Sequence, residues 1–132
     1  MEIVERTFCG CTLLESVTIP MTVTEIGDFA FCDCRLLESI TIPESVTKIG
    51  NSAFKGCKSL KSINIPDSVT EIDSLAFLGC NSLKCVTFLS RTKLGDEVFS
   101  YSSRITINVP RDCVDYYKEL LPEKFHYKIV ER

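Results

Sequence analysis

Phe31-Cys32-Asp33-Cys34-Arg35-Leu36-Leu37-Glu38-Ser39-Ile40-Thr41-Ile42-Pro43 and Phe54-Lys55-Gly56-Cys57-Lys58-Ser59-Leu60-Lys61-Ser62-Ile63-Asn64-Ile65-Pro66 carry one pattern at a spacing of 23 residues. Phe8 and Phe77 extend that spacing in both directions. The segments Ser45–Ile49 and Ser68–Ile72 lead each block toward the next repeat. A fixed period of this length marks units that cannot bury an apolar face alone and must stack on their neighbours, which is a solenoid.

Within each unit, Ser16–Ile19, Ser39–Ile42, Ser62–Ile65 and Cys85–Phe88 alternate apolar with small polar residues, as half-buried strands do. Val17, Ile19, Ile40, Ile42, Ile63, Ile65, Val86 and Phe88 then point inward. Ser16, Thr18, Ser39, Thr41, Ser62, Asn64, Cys85 and Thr87 point outward, on the face of a parallel sheet built by stacking. Pro20, Pro43 and Pro66 stop these strands, because proline cannot donate to a ladder. A second extended stretch follows at Val23–Ile26, Val46–Ile49 and Val69–Ile72. Gly27 and Gly50 turn the chain into Asp28–Phe31 and Asn51–Phe54, which with Ser74–Phe77 suit a helical or 3₁₀ turn. The column Phe8–Phe31–Phe54–Phe77–Phe99 holds the largest apolar groups and should form the spine of the core.

The period decays toward the C-terminus. The fourth unit is one residue short and has Leu89 where the others have proline; the next has Ser102 at the cysteine position and a strand Ile105–Val109 ending at Pro110. Asp112–Leu121 reads as a short helix with Asp112 as N-cap and Val114, Tyr117, Leu120 and Leu121 on one side. Tyr127–Val130 reads as a last strand. Residues 1–110 are therefore expected to form the solenoid, about five 23-residue coils, and residues 111–132 an α/β cap over its end. Ile3–Phe8 aligns with Ile26–Phe31, so the chain begins in mid-repeat. That start suggests a piece of a longer repeat protein, or a first coil whose open edge pairs with a second copy in a homodimer.

Composition narrows the function. Apolar residues at 45% and charged residues at 25% belong to a folded chain rather than a disordered one. Net charge is only -3, and Lys and Arg are scattered along the sequence, which argues against a nucleic-acid partner. No run approaches the ~20 apolar residues of a membrane span. No secretory leader stands in the chain.

The eight cysteines fall into two groups. Cys11, Cys34, Cys57 and Cys80 share one register, where side chains on successive coils run parallel and do not converge as a disulfide requires. They are expected as a ladder of buried thiols. Cys9, Cys32, Cys85 and Cys113 lie off that register. Cys9-x-Cys11 and Cys32-x-Cys34 could present four thiolates to zinc. The reading preferred here makes Cys11 and Cys34 core and leaves Cys9 and Cys32 as neighbours on stacked coils, joined only under oxidation. No metal site and no cofactor are expected. His126 is the only histidine and has no patterned nucleophile or carboxylate partner, and no Gly-rich phosphate loop is present, so catalysis is not expected. Glu25, Lys48 and Glu71 alternate in sign down one column and should pair weakly between coils.

The pattern Ala-Phe-x-Gly-Cys-x-x-Leu-x-x-Ile-x-Ile-Pro-x-x-Val-x-x-Ile-Gly resembles the BspA-type leucine-rich repeat. Residues 3–110 carry the likeness, most clearly Ala30–Ile49 and Ala53–Ile72. Leu14, Leu37, Leu60 and Leu83 match the leucines that give such repeats their name. The resemblance implies a right-handed superhelix with a parallel sheet on its concave face. It also implies a cell-surface or secreted protein that works in adhesion or protein binding, with a host extracellular protein as partner. On that reading Ser16, Thr18, Ser39, Thr41, Ser62, Asn64, Cys85 and Thr87 form the binding face. The alternative is a structural spacer or self-assembly unit of a larger repeat protein.

Overall fold

The computed structural model describes residues 2, 3 and 5–132, with the side chain of Glu2 left out. Part of the expected open edge, at Met1 and Val4, therefore lies outside the described residues. The repeat folds into stacked coils joined by parallel sheets. On one side run the two-residue strands β1 (Glu2–Ile3), β3 (Glu25–Ile26), β5 (Lys48–Ile49), β7 (Glu71–Ile72) and β9 (Lys93–Leu94), each hydrogen-bonded to the next in that order. On the other run the longer strands β2 (Ser16–Thr18), β4 (Ser39–Thr41), β6 (Ser62–Ile65), β8 (Cys85–Phe88), β10 (Thr106–Val109) and β11 (Ile129–Glu131). Equivalent residues pair across coils: Val17 with Ile40, Ile63 with Val86, Ile49 with Ile72.

The longer strands were expected to form one continuous sheet and form two. β2 pairs with β4, and β6, β8, β10 and β11 form a separate ladder. Between β4 and β6 the backbone link is the Lys61 N–H to the Glu38 carbonyl, at 3.3 Å just ahead of the strands. A seam therefore runs along this face between the second and third repeats.

The interior is a set of columns. Phe31, Phe54 and Phe77 are fully buried, and their rings stack nearly parallel at centroid spacings of 5.3 Å. Phe8 and Phe99 continue the stack at 5.2 and 5.9 Å. Offset parallel rings are a favoured aromatic arrangement, and coils in strict register make it self-perpetuating.

The segments expected as helical or 3₁₀ turns are instead isolated hydrogen-bonded turns, each interrupted by a residue in the left-handed region. Phe29, Ser52, Leu75 and Glu97, at φ of 52–63°, hold one such position in successive coils, and Arg6 holds it in the first. Gly10, Asp33, Gly56, Gly79 and Tyr101 hold a second, four residues later. A positive φ ends helical propagation, which explains the difference. The first corner also demands close approach: a Cβ on Gly50 would stand 2.6 Å from Asp28 Oδ1 and 2.7 Å from its backbone nitrogen.

The C-terminal segment departs from expectation in detail. A 3₁₀ turn at Arg111–Cys113 precedes helix α1 (Val114–Leu120), so Cys113 rather than Asp112 holds the N-cap position, and no side chain caps it. Leu120, expected on the inward side, is exposed at the last turn of α1, while Tyr117 and Leu121 are buried. A 3₁₀ helix at Glu123–Lys128 occupies the start of the expected last strand, so β11 begins at Ile129. Tyr117 is fully buried against Phe88, with ring centroids 4.7 Å apart. Its hydroxyl donates to the Ser90 carbonyl at 2.6 Å and accepts the Thr92 N–H at 2.9 Å. Burial pushes this phenol well above its usual range. The missing residue and missing proline of the fourth unit fall at this docking point.

Two stability changes follow. Phe54→Ala should cost about 3–5 kcal/mol in chemical denaturation, as truncation of a buried aromatic does, and Phe8→Ala distinctly less because its ring is only half-buried. Tyr117→Phe should cost about 1–3 kcal/mol, since it leaves the buried Thr92 N–H without its acceptor.

Candidate functional site

Six of the eight expected face residues are exposed side by side. Ser16 and Thr18 on β2 lie in register with Ser39 and Thr41 on β4, and Ser62 and Asn64 stand across the seam on β6. Their inward neighbours, Ile40 and Ile63, anchor the strands in the core. Over the seam lies a groove of about 800 Å³. Thr18, Thr41 and Asn64 line it together with the edges of Ile40, Ile42 and Ile63, and the exposed Met21 and Leu89 form part of its wall. The groove therefore combines hydroxyl and amide groups with an apolar lining.

Cys85 and Thr87 behave differently. Cys85 is half-buried and Thr87 only 5% exposed, against the expectation that both face outward. Asn108 on β10 covers them, its amide donating to Cys85 Sγ at 3.0 Å and to Thr87 Oγ1 at 3.3 Å. These side chains satisfy one another and close that end of the face. Asn108 continues the outward column of Thr87 in the last, decayed unit, and the period gives its face but not that its longer amide would reach back over Cys85 and Thr87. Met21 and Leu89 were missed for a related reason. They occupy loop positions next to the strand stop, where the only sequence signal was that Leu89 replaces a proline.

The cysteine columns are structural. Cys34 Sγ donates to the Phe8 carbonyl at 3.1 Å, Cys57 to Phe31 at 3.2 Å and Cys80 to Phe54 at 3.2 Å. Each thiol thus ties its coil to the one before. Ser102 fills the same register and donates to the Cys80 carbonyl at 3.1 Å. Burial pushes the Cys34 thiol up to about 11 and the Cys80 thiol up to about 12, and burial with the neighbouring Cys80 and Cys34 thiols raises Cys57. Cys11 was expected to be buried with them but is half-exposed, because the described first coil is covered on one side only. Cys9 and Cys32 form a disulfide rather than adjoining thiols, with Cα atoms 4.6 Å apart. Their shared off-core register brings them together, and the later repeats replace them with Lys55 and Leu78.

Other expected pairings are weaker than the sequence suggested. Glu25, Lys48, Glu71 and Lys93 stand in register, yet among the described residues none of them brings charged atoms within 4.0 Å. Glu25, Lys48 and Glu71 are half-buried and Lys93 exposed, so each keeps contact with solvent, where a charge gains little from pairing. His126 faces the Leu121 carbonyl at 3.0 Å and helps hold the C-terminal turn.

The family model of the BspA-type leucine-rich repeat region matches residues 1–120 in six copies, so the chain belongs to that family. None of the curated proteins matches it. Among solved structures, a leucine-rich repeat protein of T. pallidum is 32% identical, with a TM-score of 0.77 over 83% of this chain and 51% of that one. A leucine-rich repeat protein from Bacteroides ovatus ATCC 8483 is 40% identical, with a TM-score of 0.73 over 80% of this chain and 27% of its own. A leucine-rich cell surface protein from Faecalibacterium prausnitzii A2-165 is 34% identical, with a TM-score of 0.77 over 82% and 28%. The chain thus spans about half the length of the first and about a quarter of the other two.

The thiol ladder gives the fold a pH dependence. A thiol raised above its ordinary value of 9.0 stays protonated in the fold while the unfolded chain releases its proton. Its contribution is complete below pH 9 and is lost as pH climbs through 11 to 12. The melting temperature should therefore be steady at neutral pH and fall above about pH 9. Cys57→Ala combined with Cys80→Ala should melt lower at pH 7 but show a shallower alkaline fall.

Proposed function

We propose that this chain is a protein-binding module of a cell-surface or secreted repeat protein and performs no catalysis. The observation that carries this reading is the seam groove, a rigid backbone face with a polar rim of Thr18, Thr41 and Asn64 and an apolar lining from Ile40, Ile42 and Ile63. Recognition surfaces combine these two elements, and groups held on strands are positioned better than groups on loops. The cell-surface description of the Faecalibacterium relative supports display outside the cell, and an extracellular protein is the partner class that fits. In this reading the coils wind right-handed with the longer strands on the concave side, and residues 111–132 close the end of the solenoid formed by residues 1–110.

In this reading Thr18, Ser39, Thr41, Ser62 and Asn64, which line the groove, are the binding residues together with the neighbouring Ser16 on β2. Cys85 and Thr87, covered by Asn108, contribute little. Small side chains lose little entropy when a partner docks. They also leave the partner's backbone free to approach the strands.

Thr41→Arg with Asn64→Arg should abolish binding to a panel of immobilised extracellular-matrix proteins. Stability should change by no more than about 0.5 kcal/mol, since both side chains are exposed. A double variant that melts like the parent and retains its binding would place the site elsewhere.

A further inference from the structure

Lys and Arg are dispersed along the sequence, yet the fold gathers five of them around two adjoining clefts. Lys61, Lys84 and Arg104, with Asn81, Ser82 and Ser103 among them, line a cleft of about 260 Å³. Ser103 also borders a second cleft of about 250 Å³, whose walls include Tyr101, Lys124, Phe125, Tyr127 and Lys128. The two are tied together where they meet. Lys128 Nζ donates to the Ser103 carbonyl at 2.6 Å, and the Asn81 amide donates to the Tyr101 carbonyl at 3.4 Å. Neither cleft shares a lining residue with the seam groove.

The electrostatics of this corner run against those of the chain. Net charge is -3, but no acidic side chain of the described residues lines either cleft. Lys61 has Glu38 at 3.9 Å; among the described residues no carboxylate pairs with Lys84, Arg104, Lys124 or Lys128. Lys124 and Lys128 instead lie over the Phe125 and Tyr127 rings at 5.4 and 4.8 Å, which leaves their charge unneutralised. Cations concentrated in a concavity without carboxylate partners focus a positive potential and recruit an anion.

The tyrosines supply the second observation. Tyr101 is 77% exposed and Tyr127 80% exposed. Tyr101 sits at φ 69°, in the left-handed position that earlier coils fill with Gly10, Asp33, Gly56 and Gly79. The left-handed corner recurs in every coil, with Phe29 and Leu75 as bulky occupants of its other position, so the backbone there belongs to the repeat. What sets Tyr101 apart is a large aromatic side chain held out in solvent. The fold thus presents the Tyr101 ring to water rather than to the core.

We propose that these clefts bind an acidic polysaccharide bearing sulfate or carboxylate groups. Tyr101 offers a flat face for the C–H face of a sugar ring, and Tyr127, whose ring carries the Lys128 ammonium at 4.8 Å, borders it. Lys84, Arg104, Lys124 and Lys128 take the anionic groups, and Asn81, Ser82 and Ser103 suit the hydroxyls. A polysaccharide fits better than an acidic peptide because no strand lines the clefts. Residues 81–84, 101–104 and 124–128 are turns, irregular chain and 3₁₀ helix, so no sheet edge is available for backbone pairing.

The test is titration of the full chain with a heparin hexasaccharide, a neutral dextran oligosaccharide and a poly-glutamate of matched charge. The heparin hexasaccharide should bind, weakening as salt rises, and the dextran should not. Lys84→Gln with Arg104→Gln should weaken binding about tenfold through loss of two charge-assisted contacts. Tyr101→Gly should weaken it about fivefold while the melting temperature holds or rises, because glycine is at ease in the left-handed region. The proposal is overturned by failure of the heparin hexasaccharide to bind at low salt, or by unchanged binding in Tyr101→Gly. Poly-glutamate binding as tightly as the hexasaccharide would assign the clefts to acidic peptides and overturn it equally.

Discussion

The structure depends on one constraint, that each coil must place its backbone against the next at the same register position. Phe31 N–H reaches the Ala53 carbonyl at 2.7 Å, Phe54 the Ala76 carbonyl at 2.8 Å and Phe77 the Val98 carbonyl at 3.0 Å. These bonds hold identical side chains face to face. The Phe column can then stack in parallel, and each ladder thiol can reach the coil before it. A substitution in any column is felt by both neighbouring coils, and stability in such a molecule is a sum over nearest-neighbour interfaces.

That constraint also explains where the repeat is allowed to vary. Ser102 replaces cysteine where the hydroxyl still reaches a carbonyl of the preceding coil. The shortened fourth unit falls where Tyr117 inserts and satisfies Ser90 and Thr92. The seam between β4 and β6 opens a groove without disturbing the Phe column beneath, since ring spacing stays at 5.3 Å on both sides of Phe54. The core tolerates little change, and functional variation is left to the surface columns.

Display on a rigid ladder makes two surfaces chemically different although one period generates both. The seam groove is regular and lined mostly by small polar and aliphatic side chains, with Glu44 its one charged group. The C-terminal clefts are cationic and aromatic, and they draw on repeat and non-repeat residues together. A scattered linear charge pattern argues against a nucleic-acid partner. Lys61 and Lys84 fall into one column 23 residues apart, while Arg104 comes from a turn of the last, decayed unit and Lys128 from the C-terminal 3₁₀ helix.

The sequence by itself determined the repeat, the inward columns, the thiol ladder's register and six exposed residues of the candidate face. Each of these follows from a local period, and a period is visible in one dimension. Tertiary structure alone decided the rest: the split of the longer sheet, the joining of Cys9 to Cys32, the half-exposure of Cys11, the covering of Cys85 and Thr87 by Asn108, and the gathering of dispersed lysines around Tyr101. Seam and clefts arise from how coils stack and where the aperiodic C-terminal segment lies. A pattern of residue types encodes which face a side chain takes, but not which distant side chain will stand over it.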